Sequence, residues 1–274
     1  MNLIESKVEF LPQGVDIEDI YKQIEICGRT CYKSGDKITE GSAKKFVDRM
    51  ISSNHTAMLE HGAVYLTRSV EYSNKDYIRF ESFYSNNPYS RLNYNDGYCC
   101  VSTNFRVLVE NERLDDLEYL CEPCEYHEMR YTFRIICDIH IYKDLTRHRP
   151  MSYAIESTRL CNYIKEKFGM SVSFLLPSWV NEENKKEFEE DCKTLENIYF
   201  KWINKGLQAQ EAAYFLCQGT AAEICISGFE SDWNHIFDLR YFEKTGKVLP
   251  DLKIVMDKLV EEIKNYGLFT DTFN

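Results

Sequence analysis

The sequence predicts a mixed α+β fold. Strand-like and helix-like segments are interspersed without the regular strand-helix alternation of a doubly wound sheet. At 274 residues the chain is long enough to bury a large core, and 44% hydrophobic with 28% charged residues argues against a disordered polymer. One domain spanning residues 1–274 is expected, with 70–100 as an irregular stretch or candidate insertion.

Residues 2–10 alternate loosely as a strand, and Asp16 is placed to cap a helix over Ile17–Cys31. A second helix starts near Ser42, carries Phe46, Val47 and Met50 at helical spacing, and ends near Asn54. Ala63–Thr67 reads as a strand. Tyr72–Cys100, rich in Tyr, Asn and Ser, reads as loop with short pieces of structure, of the kind that forms a lid or an oligomer contact. Phe105–Val109 has strand composition, and a short helix follows around Leu114–Cys121. Tyr131–Cys137 is β-branched and aromatic enough for a strand, and Ile139–Thr146 is helical in character. Phe174–Leu176 is a short strand stopped by Pro177, followed by a charged amphipathic helix over Asn181–Lys205. Further helices are expected at Gln208–Cys217, Asp232–Phe242 and Leu252–Tyr266, with Ala221–Ser227 either strand or helix.

The net charge of -11, with no long Lys/Arg run, disfavours a nucleic-acid polymer as partner. A single nucleotide needs only a few well-placed arginines, so acidity does not exclude a nucleotide substrate. No leader-like N-terminus or apolar stretch of membrane-spanning length is present, which points to a cytoplasmic protein that neither crosses nor binds a membrane. The eleven cysteines are then expected as reduced thiols. Cys121 and Cys124 form a CxxC that Cys99 and Cys100 would complete for zinc. The spacing is poor against the usual two separated pairs, so buried or loop thiols are preferred and no metal is assigned.

Chemistry concentrates in Arg147-His148-Arg149-Pro150-Met151-Ser152-Tyr153-Ala154-Ile155-Glu156-Ser157-Thr158-Arg159. Like charges raise one another's energy until an anion neutralises them, so three arginines and a histidine in one short stretch point to a phosphate. An Arg-rich turn paired with surface carboxylates is the alternative.

Arg-His-Arg, seven residues, then Ser resembles the signature of the flavin-dependent thymidylate synthases, the ThyX family. Glu156-Ser157-Thr158-Arg159 followed by Cys161-Asn162-Tyr163 is similar to the family's Glu-Ser-Thr-Arg-Tyr-Cys-Asn-Tyr. Similarity extends to Arg29-Thr30-Cys31-Tyr32-Lys33-Ser34, to His55–His61, and to Gly228-Phe229-Glu230-Ser231-Asp232-Trp233 leading to Phe237-Asp238-Leu239-Arg240. The resemblance implies a ThyX-like, largely antiparallel sheet packed by helices and a homotetramer with flavin sites between subunits. It implies reductive methylation of dUMP to dTMP, with FAD as cofactor and NADPH and methylene-tetrahydrofolate as co-substrates. No protein cysteine attacks the pyrimidine in such enzymes.

By position, the resemblance implies that Arg147, His148 and Arg149 line the flavin, with Cys31, His55, Glu60 and His235 also on the cofactor side. Asp144, Glu156, Ser157, Arg159 and Arg240 meet the nucleotide, and Arg147, His148, Arg149, Ser157 and Arg240 form the catalytic set. For His55 and His61, a histidine satisfied by hydrogen bonds at a turn is the alternative. The chain departs from the family at Ile155 and Leu160, where polar residues are usual, and at Asp144, where Gln or Glu is usual. Lys247–Asp251 lacks the usual His or Gln pattern, and Ala213 stands where the family has a nucleotide-contacting arginine. One charge-assisted hydrogen bond is worth about 1.5–3 kcal/mol, a roughly tenfold to hundredfold loss of nucleotide affinity. An active synthase, a relative that modifies a pyrimidine nucleotide differently, for example by hydroxymethylation, and a non-catalytic flavin or nucleotide binder all accommodate these departures.

Overall fold

The structure is a computed structural model and describes residues 1–273. Its elements in order are β1 (Asn2–Ile4), β2 (Lys7–Phe10), α1 (Ile17–Thr30), α2 (Ser42–Ser52), β3 (Ala63–Ser69), α3 (Lys75–Asn86), β4 (Arg91–Asn95), β5 (Tyr98–Asn104) and α4 (Phe105–Glu110). The second half contributes β6 (Arg130–Asp138), α5 (Ile139–Leu145), β7 (Ser152–Ile155), β8 (Ser173–Leu175), α6 (Lys185–Asn204), α7 (Ala209–Ala212), β9 (Ala221–Phe229), α8 (Glu230–Arg240), α9 (Pro250–Asn265) and α10 (Thr270–Phe273). This is the expected α+β class with predominantly antiparallel pairing: β1 and β8 pair in parallel, and the other ladders are antiparallel.

The four-stranded sheet runs in the order β2-β6-β9-β7 and sets the position of every element near the site. Side chains of a strand alternate between faces. On one face Phe133, Ile135, Ile224 and Ile226 pack against Trp233, Phe237, Leu252, Val255 and Leu259 of α8 and α9. On the other, Arg134, Glu223 and Cys225 turn toward α1, where Thr30 Oγ1 approaches Glu223 and Cys225. A second core gathers α1, α2, α3 and the three-stranded sheet β3-β5-β4 around Ile24, Val47, Leu66, Phe80 and Val101.

Several sequence expectations are corrected here. Residues 2–10 form two strands in two different sheets. Phe105–Val109 is helix, not strand: the Asn104 side chain accepts from Val107 N, Arg106 pairs with Glu110 one turn on, and Phe105 and Leu108 are buried on one face. Tyr72–Cys100 is not a loop. Asn74 caps α3 through Asp76 N and Tyr77 N, and Tyr77, Phe80 and Tyr84 bury the face that follows. Asp96 and Gly97, with φ of 41° and 85°, then close the β4-β5 hairpin, a two-residue turn whose Asp-Gly signal was legible in the sequence. Ala221–Phe229 is a strand, which settles the ambiguity left there.

Candidate functional site

Two segments entering and leaving β7 carry the anion-directed residues. Before β7, α5 delivers a turn in which Tyr153 Oη donates to the carbonyls of Leu145 and His148, each at 2.8 Å. That clamp buries His148 and leaves Arg147 and Arg149 exposed on either side. Arg147 pairs with Asp144 at 3.1 Å while 71% of its side chain stays in solvent. Arg149 makes no hydrogen bond or ion pair among the described residues. From α8, Arg240 Nε donates to His148 Nε2 at 3.3 Å, and the His235 ring stands 5.9 Å from that of His148. The lone pair on Nε2 therefore faces a cation. Burial first, then Arg240 and His235, push the His148 pKa down to about 4, so the ring is neutral near pH 7.

After β7, the chain meets the end of α1. Ser157 N donates to the Cys31 carbonyl at 3.0 Å. Glu156 is buried with both oxygens engaged: Tyr163 Oη donates to Oε1 at 2.8 Å, while Glu223 N at 3.2 Å and Lys33 Nζ at 3.1 Å meet Oε2. The carboxylate thus anchors the Ser157 turn rather than presenting itself outward. Burial and the Glu156 charge push the Tyr163 phenol well above its ordinary range.

The His55–His61 segment, a two-turn 3-10 helix over Thr56–His61, lies beside this turn. Cys31, His55, Met58 and Arg106 line a cleft of about 400 Å³, and burial pushes the Cys31 thiol up to about 11, so it is no nucleophile near neutrality. His55 is exposed. Glu60 is tied to Arg106 and through its carbonyl to Arg130. His61 is buried, with Nδ1 2.7 Å from Ser227 Oγ, which in turn lies 2.7 Å from Thr132 Oγ1. Burial and then Arg130 push the His61 pKa down to about 3. His61 meets the hydrogen-bonded alternative at Nδ1 only, its buried Nε2 having no partner among the described residues, and His55 makes no side-chain hydrogen bond there.

The structure therefore brings Asp144, Arg147, His148, His235 and Arg240 into one group, and Cys31, Glu156 and Ser157 into a second at the other end of β7. Arg159 is exposed and faces Gln210, Glu211 and Tyr214 across a cleft of about 470 Å³, beside the Ala213 position. Sequence reasoning missed Lys33, Tyr163 and Glu223 as the partners that fix Glu156. Lys33 stands in the quoted Arg29–Ser34 motif and Tyr163 in the quoted Cys161-Asn162-Tyr163; Glu223, 67 positions away, becomes a neighbour only through folding.

The model of the family described as "Thymidylate synthase complementing protein" (Thy1) matches residues 125–265, just over half of the chain. The chain belongs to this family. The matched region holds β6, the arginine turn, β7, β9 and α8, so the Thy1 signature and the His148–Arg240 contact lie inside it. No curated protein matches the sequence. Similar solved structures include the UMP/dUMP methylase PolB from Streptomyces cacaoi bound with 5-Br dUMP, at 12% identity and a TM-score of 0.45, covering 96% of this chain and 93% of that one. Another is Thymidylate Synthase X (ThyX) from Helicobacter pylori with FAD and dUMP, at 14% identity and a TM-score of 0.41, covering 98% and 99%. Within the Thy1 chain described here, exposed guanidinium groups flank a buried imidazole, a donor set whose chemistry suits an anion. Neither the cleft at His55 nor that at Arg159 includes Arg147, His148 or Arg149. No helix among the described residues is long and apolar enough to cross a membrane.

Proposed function

We propose that this Thy1-family chain is a flavin-dependent thymidylate synthase that converts dUMP to dTMP. One observation carries the reading. Acidic residues outnumber basic ones 44 to 33, yet Arg149, inside a signature whose histidine is held neutral, and Arg159, two residues beyond it, form no ion pair among the described residues. Cations left open in an acidic chain are available to an external anion. Reduced FAD, recharged by NADPH, supplies the hydride, and methylene-tetrahydrofolate supplies the carbon placed on the uracil ring.

The chain's own residues bind and orient. Arg147 and Arg149 supply positive potential along the flavin, with His148 as a neutral hydrogen-bonding partner of Arg240, which reaches the nucleotide. His55, Cys31 and His235 border the cofactor side, and Glu60 holds the His55 segment through Arg106. Ser157 and Arg159 meet the nucleotide, Arg159 offering a fork to its phosphate beside Gln210, where it compensates for Ala213. Glu156 keeps Ser157 in place, and Asp144 keeps Arg147 from swinging away. The exposure of the arginine turn in one chain supports a flavin cavity completed by a neighbouring copy in a homotetramer; the acidic composition supports a cytoplasmic enzyme that takes a nucleotide and no nucleic-acid polymer.

The test is direct. Purified protein should be yellow and release tritium from labelled dUMP only when both methylene-tetrahydrofolate and NADPH are present. Flavin without turnover would replace the synthase with a binder or with a different pyrimidine-modifying activity, and colourless protein with no affinity for FAD would remove the flavin reading altogether.

A further inference from the structure

Away from the arginine turn, folding gathers thiols and an imidazole that the proposed reaction does not use. Sulfur atoms of Cys100 and Cys124 and a ring nitrogen of His127 all lie within 4.8 Å of one another. Cys124 Sγ stands 3.4 Å from His127 Nδ1. For tetrahedral zinc with Zn–S near 2.3 Å and Zn–N near 2.0–2.1 Å, ligand separations should be about 3.5 Å for S···N and about 3.8 Å for S···S. The cluster is already near that size. Cys121 completes the circle: its sulfur is 4.0 Å from His127 Nε2 and 3.1 Å from Thr67 Oγ1, the same hydroxyl that reaches Cys100 Sγ at 4.0 Å.

The imidazole is oriented for a metal. His127 Nε2 lies 3.1 Å from the Leu66 carbonyl, an acceptor, so that nitrogen carries the proton. Nδ1 accepts the Cys124 backbone N–H at 3.1 Å, so it holds the lone pair; it stands 3.4 Å from Cys124 Sγ, and a metal bound there takes that lone pair from the N–H. Histidines that ligate zinc commonly donate their other N–H to a backbone carbonyl, which fixes the tautomer and the ring orientation. Strand alternation explains why Cys100 serves and Cys99 does not: Cys99 points into the core with Tyr77 and Val101's neighbours, and Cys100 points to the opposite face. Cys124 is exposed and provides the entry path.

We propose that Cys100, Cys121, Cys124 and His127 form a structural Zn²⁺ site, with Cys121 turning toward the other three as the metal enters. Soft thiolates plus one imidazole in a closed tetrahedron select zinc among the common divalent ions. The bound thiols ionise and release their protons to solvent. The clip joins β5 to the segment that leads into β6, where Cys121 N already donates to the Tyr65 carbonyl and Glu128 pairs with Arg91 at 3.3 Å. It thereby fastens the three-stranded sheet to the four-stranded one that carries the arginine turn.

Metal analysis of the full chain purified without chelator should give about one zinc per chain. Cys124→Ser and His127→Ala should each weaken zinc binding by more than about tenfold, whereas Cys217→Ser, far from the cluster in sequence, should leave the content unchanged. Stripped wild-type protein titrated with Co²⁺ alone should develop a thiolate-to-cobalt charge-transfer band and the intense visible bands of a tetrahedral ion. The cobalt titration decides the matter even if the variants fail to fold. Zinc well below stoichiometry together with a featureless cobalt titration would overturn the site, as would a Cys121–Cys124 disulfide in protein kept reduced, or full zinc retention in the Cys124→Ser/His127→Ala double variant.

Discussion

Arg159 and His148 sit eleven sequence positions apart, yet they face different physical problems. Arg159 is a free guanidinium at the surface, and its value lies in a guest. Arg159→Ala should weaken dUMP by roughly tenfold to hundredfold, the worth of one charge-assisted hydrogen bond, and leave FAD affinity nearly unchanged. Calorimetric titration with each ligand checks this, and equal losses of both would remove Arg159 from the nucleotide's side. His148 and His61 are instead withheld from water. Their pKa values of about 4 and about 3 lie below the roughly 6.5 of an unfolded histidine. Between those values the unfolded chain binds more protons than the folded one, so stability is complete above about pH 6.5 and falls as the pH drops toward 4. Urea midpoints measured between pH 7 and pH 4.5 should show this fall, and it should be shallower in His61→Gln. A flat profile in the parent protein would contradict the burial of both rings.

At the scale of elements, turns and caps decide where the chain reverses. Asp16 accepts from Asp19 N at 2.8 Å at the start of α1, the helix whose end holds Ser157. Asp16→Ala should cost about 1 kcal/mol, read as a lower Tm with little change in catalytic constants. Gly97 holds φ of 85° in the β4-β5 hairpin with open space around it, so a side chain there meets backbone strain and no collision. Gly97→Val should destabilise by about 1–2 kcal/mol through that strain. Thermal denaturation of both variants distinguishes a local cost from loss of the fold. Asp96-Gly97 and the Tyr77, Phe80, Tyr84 spacing were both present in the sequence of the stretch read as loop. The Tyr, Asn and Ser content around them masked a helix and a hairpin whose polar residues lie on outward faces.

For the whole molecule, the exposure of Arg147 and Arg149 in one protomer is the central fact. A second surface closing over solvent-facing cations excludes water and strengthens their hold on a cofactor, which the proposed tetramer provides. Sedimentation should therefore show a tetramer, and a charge reversal at Arg149, Arg149→Glu, should abolish flavin retention while sparing the circular dichroism spectrum. A monomer that still retains flavin would require a cavity within the single chain.

What the amino-acid sequence determined by itself is the set of parts. The charge crowding of Arg147–Arg159, the cap at Asp16 and the apolar faces of α1, α2, α6 and α9 depend on neighbours a few residues apart, where covalent geometry and helical or strand period suffice. Phe105–Glu110 shows the limit: its β-branched composition favours a strand, and Asn104 together with packing on the Thr56–His61 turn makes it a helix. The tertiary structure alone decided the pairings of distant residues. It set Arg240 against His148, closed Lys33, Tyr163 and Glu223 around Glu156, and carried Cys100 to Cys124 and His127. Such contacts arise because burying two sheets against their helices leaves each polar group only the partners that the packing brings within reach.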